Sequence, residues 1–407
     1  MSVQKNPALV PQLRNAALFA AATKQFTFTN IMTGAPVAPK GTTEVGRVQT
    51  DPGYPVVRVT DLEKQKGQEI TVDMVHEIAG KPTMGDKKLA GRGDTISFAD
   101  DKVGINQGRH MVDNGGGMFV RTVGQDINAI AQKVLKGWYK RLDEETTLYH
   151  LAGARGTEYT ASMIVPPDSD PEFSEIMVNP MLPPTFSRHM YGGDAQSIEQ
   201  LDSSDLMSLE VVDNLALYLE EMSNPIGHIR LAEDELKDED PFYVLWVTPR
   251  QWSDLQKQAS TKDYQQLVAS ASNRQKGFSH SLFKGDMMYR NGILIKKMSR
   301  FVRFEQGSQV RVSQNNKNAT TTLRTVGTSV ERAILLGSQA MAYAMGHTET
   351  AKSFMSIHKE TVDHGNTKEF SIAFCNGKKA LRFKDRDGWL HDHGRLVIDT
   401  AVSPRRI

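Results

Sequence analysis

The most constraining feature of this chain is a stretch that sits badly inside a compact domain. Ile70, Val72, Met74 and Ile78 alternate with mostly polar Thr71, Asp73 and Glu77, and a period of two is the pattern of a strand with one wet face. Ala79 to Asp101 follows, rich in Gly, Lys and Asp, before a second strand-like run from Val103 to Gln107. Ordinary hairpin loops take two to five residues, and a linker of about twenty inside a folded domain is a functional element or an unfolded one. The spacing therefore predicts a long hairpin that projects from whatever body the rest of the chain forms.

The flanking segments supply that body. Residues 1–55 mix short apolar pieces with Pro, Gly and Thr, and read as an extended arm laid against something else. Within it Ala16 to Ala22 (AALFAAA) reads as a short amphipathic helix, its run too short and its flank too poor for a cleaved leader. After Gly115-Gly116-Gly117, apolar residues from Ile127 to Leu151 recur at spacings of three and four. They predict one helix from Val123 to about Ala152, roughly 45 Å long at 1.5 Å per residue, weakest at Gly137 and stopped at Gly153. Residues 154–200 are Pro- and Gly-rich and read as a long irregular connection, followed by a helix from about Ser203 to Met222. Phe242 to Val247 is a continuous apolar run, hence a buried strand, and Thr248-Pro249 begins a helix to Gln258 with Thr248 as its cap. Gly292 to Ile295, Ala333 to Leu336, Ala340 to Met345, Ile372 to Phe374 and Leu396 to Ile398 add core segments. Helices and strands mix without a βαβ rhythm, so the class is α+β.

Composition narrows function by exclusion. The 407 residues carry 49 Lys and Arg against 48 Asp and Glu, a formal charge of +1, which removes polybasic nucleic-acid binders from consideration. A nearly neutral particle also repels its own copies weakly. The lone Cys375 rules out an internal disulfide and zinc spacings that need several cysteines. No run approaches the ~20 apolar residues of a membrane-spanning helix.

Signals for chemistry are thin. His391-Asp392-His393 offers two imidazoles and a carboxylate for a metal-dependent hydrolase, the alternative catalytic reading, but Gly388 and Gly394 bracket it as an exposed turn. Arg92-Gly93-Asp94 spells an adhesion tripeptide inside a polar loop, and the acidic run Glu233 to Asp240 lacks the alternating oxygens of a calcium loop. The triple glycine lacks both phosphate-binding fingerprints and reads as a flexible joint. Cys375-Asn376-Gly377 reads as a turn.

The inventory of arm, long hairpin, long helix and mixed body resembles the tailed-phage major capsid, or Johnson, fold, with its N-arm, E-loop, spine helix with P-domain, and A-domain. The hairpin segment is similar to the E-loop of the capsid family of N-four-like podophages, in the order Gly67, Gly80, Gly85-Asp86, Leu89-Ala90-Gly91 and Gln107-Gly108-Arg109-His110. LKGWYKRLDEETTLYHLAG, YVLWVTPRQWSDLQ, ERAILLGSQAMAYAMG and the closing GKKALRF and HGRLVIDTAV pieces extend the resemblance over about residues 60 to 402. One departure is Arg92-Gly93-Asp94, where acidic residues are expected after Leu-x-Gly. The resemblance implies a non-enzymatic structural subunit without cofactors, assembling into hexamers and pentamers of an icosahedral virion shell around double-stranded DNA. Scaffolding, portal and decoration proteins are its implied partners, the host cytoplasm its place of assembly, and a membrane is not involved. The implied division is 1–60 N-arm, 61–113 E-loop hairpin, 114–200 spine helix and connection, 201–350 mainly A-domain, and 351–407 a returning C-terminal segment. Its implied inter-subunit contacts are Gly80, Gly85, Asp86, Lys87, Lys88, Leu89, Gly91, Arg92 and Asp94, and removal of Lys81 to Ala99 is expected to leave a soluble subunit that forms no shells. With no long helical segment in residues 1–55, a separate scaffolding protein is expected.

Overall fold

The computed structural model describes residues 28–402 apart from 36–48, 61–67, 77, 79, 123–125, 159–162, 233, 235–239, 260, 275–279, 318 and 348–354. In chain order, the first half runs α1 (Phe28–Ile31), β1 (Val56–Val59), β2 (Glu69–Val75), β3 (Phe98–Gly104), β4 (Asn106–Asp113), α2 (Gly117–Thr122), α3 (Ile127–Ala152), α4 (Glu172–Ile176), β5 (His189–Tyr191) and α5 (Leu209–Glu221). The second half runs β6 (Tyr243–Val247), α6 (Pro249–Gln258), α7 (Thr261–Arg274), β7 (Met287–Arg290), β8 (Ile293–Lys297), β9 (Val302–Phe304), β10 (Gln309–Ser313), β11 (Thr321–Thr325), β12 (Val330–Leu336), β13 (Met341–Met345), β14 (Met355–Val362), β15 (Thr367–Ala380), β16 (Arg382–Lys384), β17 (Leu390–Asp392) and β18 (Arg395–Ala401).

A seven-stranded mixed sheet, ordered β5-β18-β12-β6-β8-β7 with β9 also on β12, forms the body. Every residue of β6, β12 and β18 is buried. Alternate side chains go to opposite layers: Val244, Trp246, Ile334 and Leu336 enter one apolar cluster with Tyr149 and Leu151 of α3. Tyr243, Leu245, Val247, Ala333 and Leu335 enter another with Val212, Leu215 and Leu219 of α5 and Trp252 and Leu255 of α6. A strand covered on both faces reads as a continuous apolar run, which is why Phe242 to Val247 was legible. The helix after it begins as expected, with a capping box: Thr248 Oγ1 accepts from Gln251 N at 3.2 Å and Gln251 Oε1 accepts from Thr248 N at 2.9 Å.

The second sheet is ordered β1-β13-β15-β14, with β4 along the other edge of β15. The long helix α3 lies on it, packing Ala131, Leu135 and Tyr139 against Phe370 and Ile372. This helix spans 26 residues, about 39 Å, and starts at Ile127 rather than Val123. Asp126 sets that start, its carboxylate accepting from the N–H groups of Asn128 and Ala129 at 3.0 and 3.2 Å. Gly153 ends it with φ 66°, and a Cβ there would meet Leu182 O at 2.5 Å. Similarly, α5 starts at Leu209 because Ser208 caps it, accepting from Val211 N at 3.2 Å.

Two sequence expectations about the strands fail. Cys375-Asn376-Gly377 is no turn but the middle of β15, with Cys375 buried. Gly377 is there because a Cβ would meet Gly104 O at 1.8 Å, so the backbones approach closely. The strand after the long loop begins at Phe98 and not at Val103.

The arm is pinned by α1. The buried Glu144 carboxylate of α3 accepts from Phe28 N at 2.8 Å and Thr29 N at 3.3 Å, while the Phe28 ring meets Trp246 edge-on at 4.9 Å. The helix expected at Ala16 to Ala22 lies outside the described residues. The connection from 154 to 200 is largely irregular where described, interrupted by α4 and β5.

Candidate assembly interface

Strands β2 and β3 pair antiparallel from Glu69 opposite Gly104 to Val75 opposite Phe98. One face of this ribbon is docked: Ile70, Ala99 and Val103 are buried with Val57, Val59, Ala342, Ala344, Leu381 and Phe383. Polar contacts lock the same face. Lys379 Nζ meets Asp101 Oδ1 at 2.5 Å, His76 Nε2 lies 2.8 Å from Lys384 O, and the Asn179 amide both accepts from Gly104 N at 2.8 Å and donates to Gly104 O at 2.9 Å. These anchors carry no sequence motif, because each depends on a partner far along the chain.

The other end is bare. Val75, Ile78, Met84, Leu89, Ile96 and Phe98 are each between 56% and 71% exposed. Isolated exposed apolar residues are ordinary, but six between Val75 and Phe98 make a candidate interaction surface. The loop is nonetheless shaped. Gly85 and Gly91 turn it with φ 66° and 82°, Arg92 N donates to Leu89 O at 3.0 Å, and Gly80 sits against the Asp94 carboxylate, where a Cβ would be 2.5 Å from an oxygen. Asp94 in turn faces Arg386 of the β16–β17 turn at 3.9 Å. The structure thus brings Gly80 and Asp94 together at the neck, and spreads Asp86, Lys87, Lys88, Leu89 and Arg92 along the exposed tip. Asp94 of the adhesion-like tripeptide serves the loop's own neck. Ala99 belongs to the docked base, so a deletion that spares the base ends before β3, at Thr95.

The triple glycine is a joint between β4 and α2, Gly115 and Gly116 adopting φ 81° and 91°. Of the acidic run, only Asp234 and Asp240 fall among the described residues.

The catalytic alternative does not survive the geometry. Asp392 is no exposed ligand: it is fully buried, 2.9 Å from Arg382 Nε and 3.2 Å from Arg395 Nε, and accepts from Thr185 N at 2.9 Å. Burial alone would raise its carboxyl, but these guanidinium groups hold it below the usual carboxylate range. His393 instead packs edge-on to Phe383 at 5.4 Å. Among the described residues no group of three His, Cys, Asp or Glu side chains is placed to hold a metal ion.

His391 sits in a 570 Å³ groove with Ser187 and Asp385. Its Nδ1 is 3.1 Å from Ser187 Oγ and its Nε2 3.3 Å from Asp385 Oδ2, superficially a hydrolase relay. The backbone N–H groups that would hold an oxyanion are spent: Ser187 N donates to Asn316 Oδ1 at 3.1 Å and Arg188 N to Thr185 O at 2.8 Å. Asp385 already accepts from Asp387 N, Trp389 N and Asn224 Nδ2. The groove is a braced turn.

Comparison with known proteins agrees with this architecture. The family model described as "Phage capsid protein" matches residues 5–404. No curated protein matches the chain by sequence. Among solved structures, the capsid of Ralstonia phage GP4 is similar over 100% of both chains at 21% identity and a TM-score of 0.75. The cyanophage Pam1 capsid asymmetric unit is similar over 99% of this chain and 100% of the other, with 13% identity and a TM-score of 0.58. The capsid of Helicobacter pylori bacteriophage KHP30 is similar over 98% and 99%, with 11% identity and a TM-score of 0.60. With an α+β body, a long surface helix and a projecting hairpin in one chain, the protein belongs to the phage capsid protein family and is a tailed-phage major capsid subunit of the Johnson fold.

Proposed function

We propose that copies of this chain close into an icosahedral shell of hexamers and pentamers around double-stranded DNA, and that the β2–β3 hairpin is the element joining neighbours. The observation that carries this reading is the contrast within one hairpin, a base locked into its own body and six exposed large apolar side chains between Val75 and Phe98. Large obligate interfaces bury 2,000 Å² or more in total, and a tip of this kind gains burial when laid on an adjacent copy. The implied division follows: residues 1–60 as N-arm, 61–113 as E-loop, 114–200 as spine helix and connection, 201–350 as mainly A-domain, and 351–407 as the returning segment. The contacts assigned to the tip are Gly80, Gly85, Asp86, Lys87, Lys88, Leu89, Gly91, Arg92 and Asp94. Assembly in the host cytoplasm with a separate scaffolding protein and a portal, and a role without catalysis, complete the reading.

Negative-stain electron microscopy of the purified chain across a concentration series tests it. Capsomer rings, sheets or closed shells that grow with concentration are expected. Uniform monomers at every concentration and salt, also when the chain is produced together with its scaffolding protein, would contradict it.

A further inference from the structure

The body carries a cleft whose lining differs in kind from the hairpin. The groove beside His391 continues into a second cavity of about 840 Å³ between β5 and the β10–β11 ribbon, and Ser187, Tyr218 and Asn316 line both. Each part falls within the usual ~300–1,000 Å³ of a small-molecule site. Each also has its own exposed ring: Trp389 of the β16–β17 turn in the first, 42% exposed, and Phe186 ahead of β5 in the second, 59% exposed.

The polar groups around these rings are largely neutral. Hydroxyls of Ser197 and Thr322 and carboxamides of Gln196 and Gln314 line the second cavity. Asn316 Oδ1 accepts from Ser187 N at 3.1 Å, but among the described residues no hydrogen bond engages Asn316 Nδ2 or the Gln196 and Gln314 carboxamides. Hydroxyls and carboxamides both donate and accept, as the hydroxyls of a sugar do. Most charges at the cleft are spent on groups of the chain itself. Arg324 meets Glu199 at 3.2 Å, His391 meets Asp385 at 3.3 Å, and Arg188 donates to the carbonyls of Asp392 and Asn224 at 3.2 and 2.6 Å. A nucleic-acid backbone would need several free cations here.

The bracing of the turn also gains a purpose. Asp385 accepts from Trp389 N at 2.7 Å, and Lys317 Nζ lies 5.6 Å from the indole centroid. Tyr218 is held as well, its hydroxyl donating to Ser187 O at 2.7 Å. Rings fixed before a ligand arrives lower the ordering cost of binding.

We infer that this cleft binds a neutral oligosaccharide of two or three pyranose units, with sugar faces stacked on Trp389 and Phe186 and sugar hydroxyls bonded to the free carboxamides. The C–H face of a pyranose is weakly positive and complements the negative face of an aromatic ring. The inference goes beyond assembly and does not depend on it.

Isothermal titration of the purified chain with maltotriose, cellotriose and chitotriose tests it. At least one is expected to bind at one site per chain. Trp389→Ala and Phe186→Ala should each weaken that binding at least tenfold, and Gln314→Ala about threefold. Trp389→Leu, which keeps apolar bulk but loses the aromatic face, should lose as much as Trp389→Ala. Melting temperatures of the four variants are expected to match the wild type, because all three side chains lie at the surface. No binding of any of the three sugars up to about 10 mM, or binding that the ring variants retain at wild-type affinity, would overturn the inference. Binding that disappears when the chain assembles would overturn it too, since a second copy would then occupy the cleft.

Discussion

The tip of the hairpin and the seven-stranded sheet use the same residue types to opposite ends. In β6, β12 and β18 every side chain is buried, charged ones included. Arg332 meets Asp399 through paired contacts of 2.7 Å, and His189 adds a third at 2.7 Å. In the tip, Met84, Leu89 and Ile96 stand in solvent among lysines. The sheet has spent its apolar surface within the chain, whereas the tip leaves its apolar surface in solvent. Stability and assembly should therefore be separable by mutation, and each of the following outcomes would break or sharpen that division.

The largest effect is expected in the sheet. Trp246→Ala removes a fully buried indole that contacts both α1 and the core, and should cost about 3–5 kcal/mol of unfolding free energy by denaturant titration. Arg332→Met leaves the buried Asp399 carboxylate without its guanidinium and should cost a similar ~3–5 kcal/mol. A loss below about 1 kcal/mol in either would mean the sheet is not the stability core.

Acid acts on the same region. Burial pushes the Asp399 carboxyl up, but Arg332 and His189 more than offset this and hold it well below the usual carboxylate range. A depressed carboxylate contributes stability above its unfolded pKa of about 4 and loses it as pH falls below that value. His150 is lowered to about 3, chiefly by burial and then by Lys378 and Arg395. The unfolded chain takes up its proton first, so this group's contribution falls between about pH 6.5 and 3. Buried Glu144, raised to about 8 chiefly by burial, works the other way down to about pH 4.5. Melting temperatures should therefore decline between about pH 4.5 and 3, and a flat profile there would contradict these assignments.

Smaller effects probe the helix and the tip. Gly137→Ala in α3 adds a methyl group with nothing within 4 Å, and should stabilise by about 0.5–1 kcal/mol. Leu89→Ser should change unfolding free energy by less than about 0.5 kcal/mol while weakening assembly. The tip loses its distinct character if that substitution unfolds the chain.

Much of this division was legible beforehand. The buried strand ending at Val247, the Thr248 cap, the Gly153 stop and the overlong loop all rest on local rules. The errors share a cause. Cys375-Asn376-Gly377 spells a turn locally, yet β15 is held straight by β4, β13 and β14, with Gly377 fitted under Gly104. Asp100, Asp101 and Lys102 hide the start of β3 because Asp101 points inward to meet Lys379 and the Arg382 N–H, more than two hundred residues away. His391, Asp392 and His393 are neighbours in sequence, but the β16–β17 hairpin sends each to a different environment.

The most direct test of the central claim replaces Lys81 to Thr95 with a short Gly-Ser turn and compares this chain with the wild type by sedimentation velocity and thermal melting. The account predicts an unchanged melting temperature and the loss of every species larger than a small oligomer. Shells of normal size from the shortened chain would contradict it.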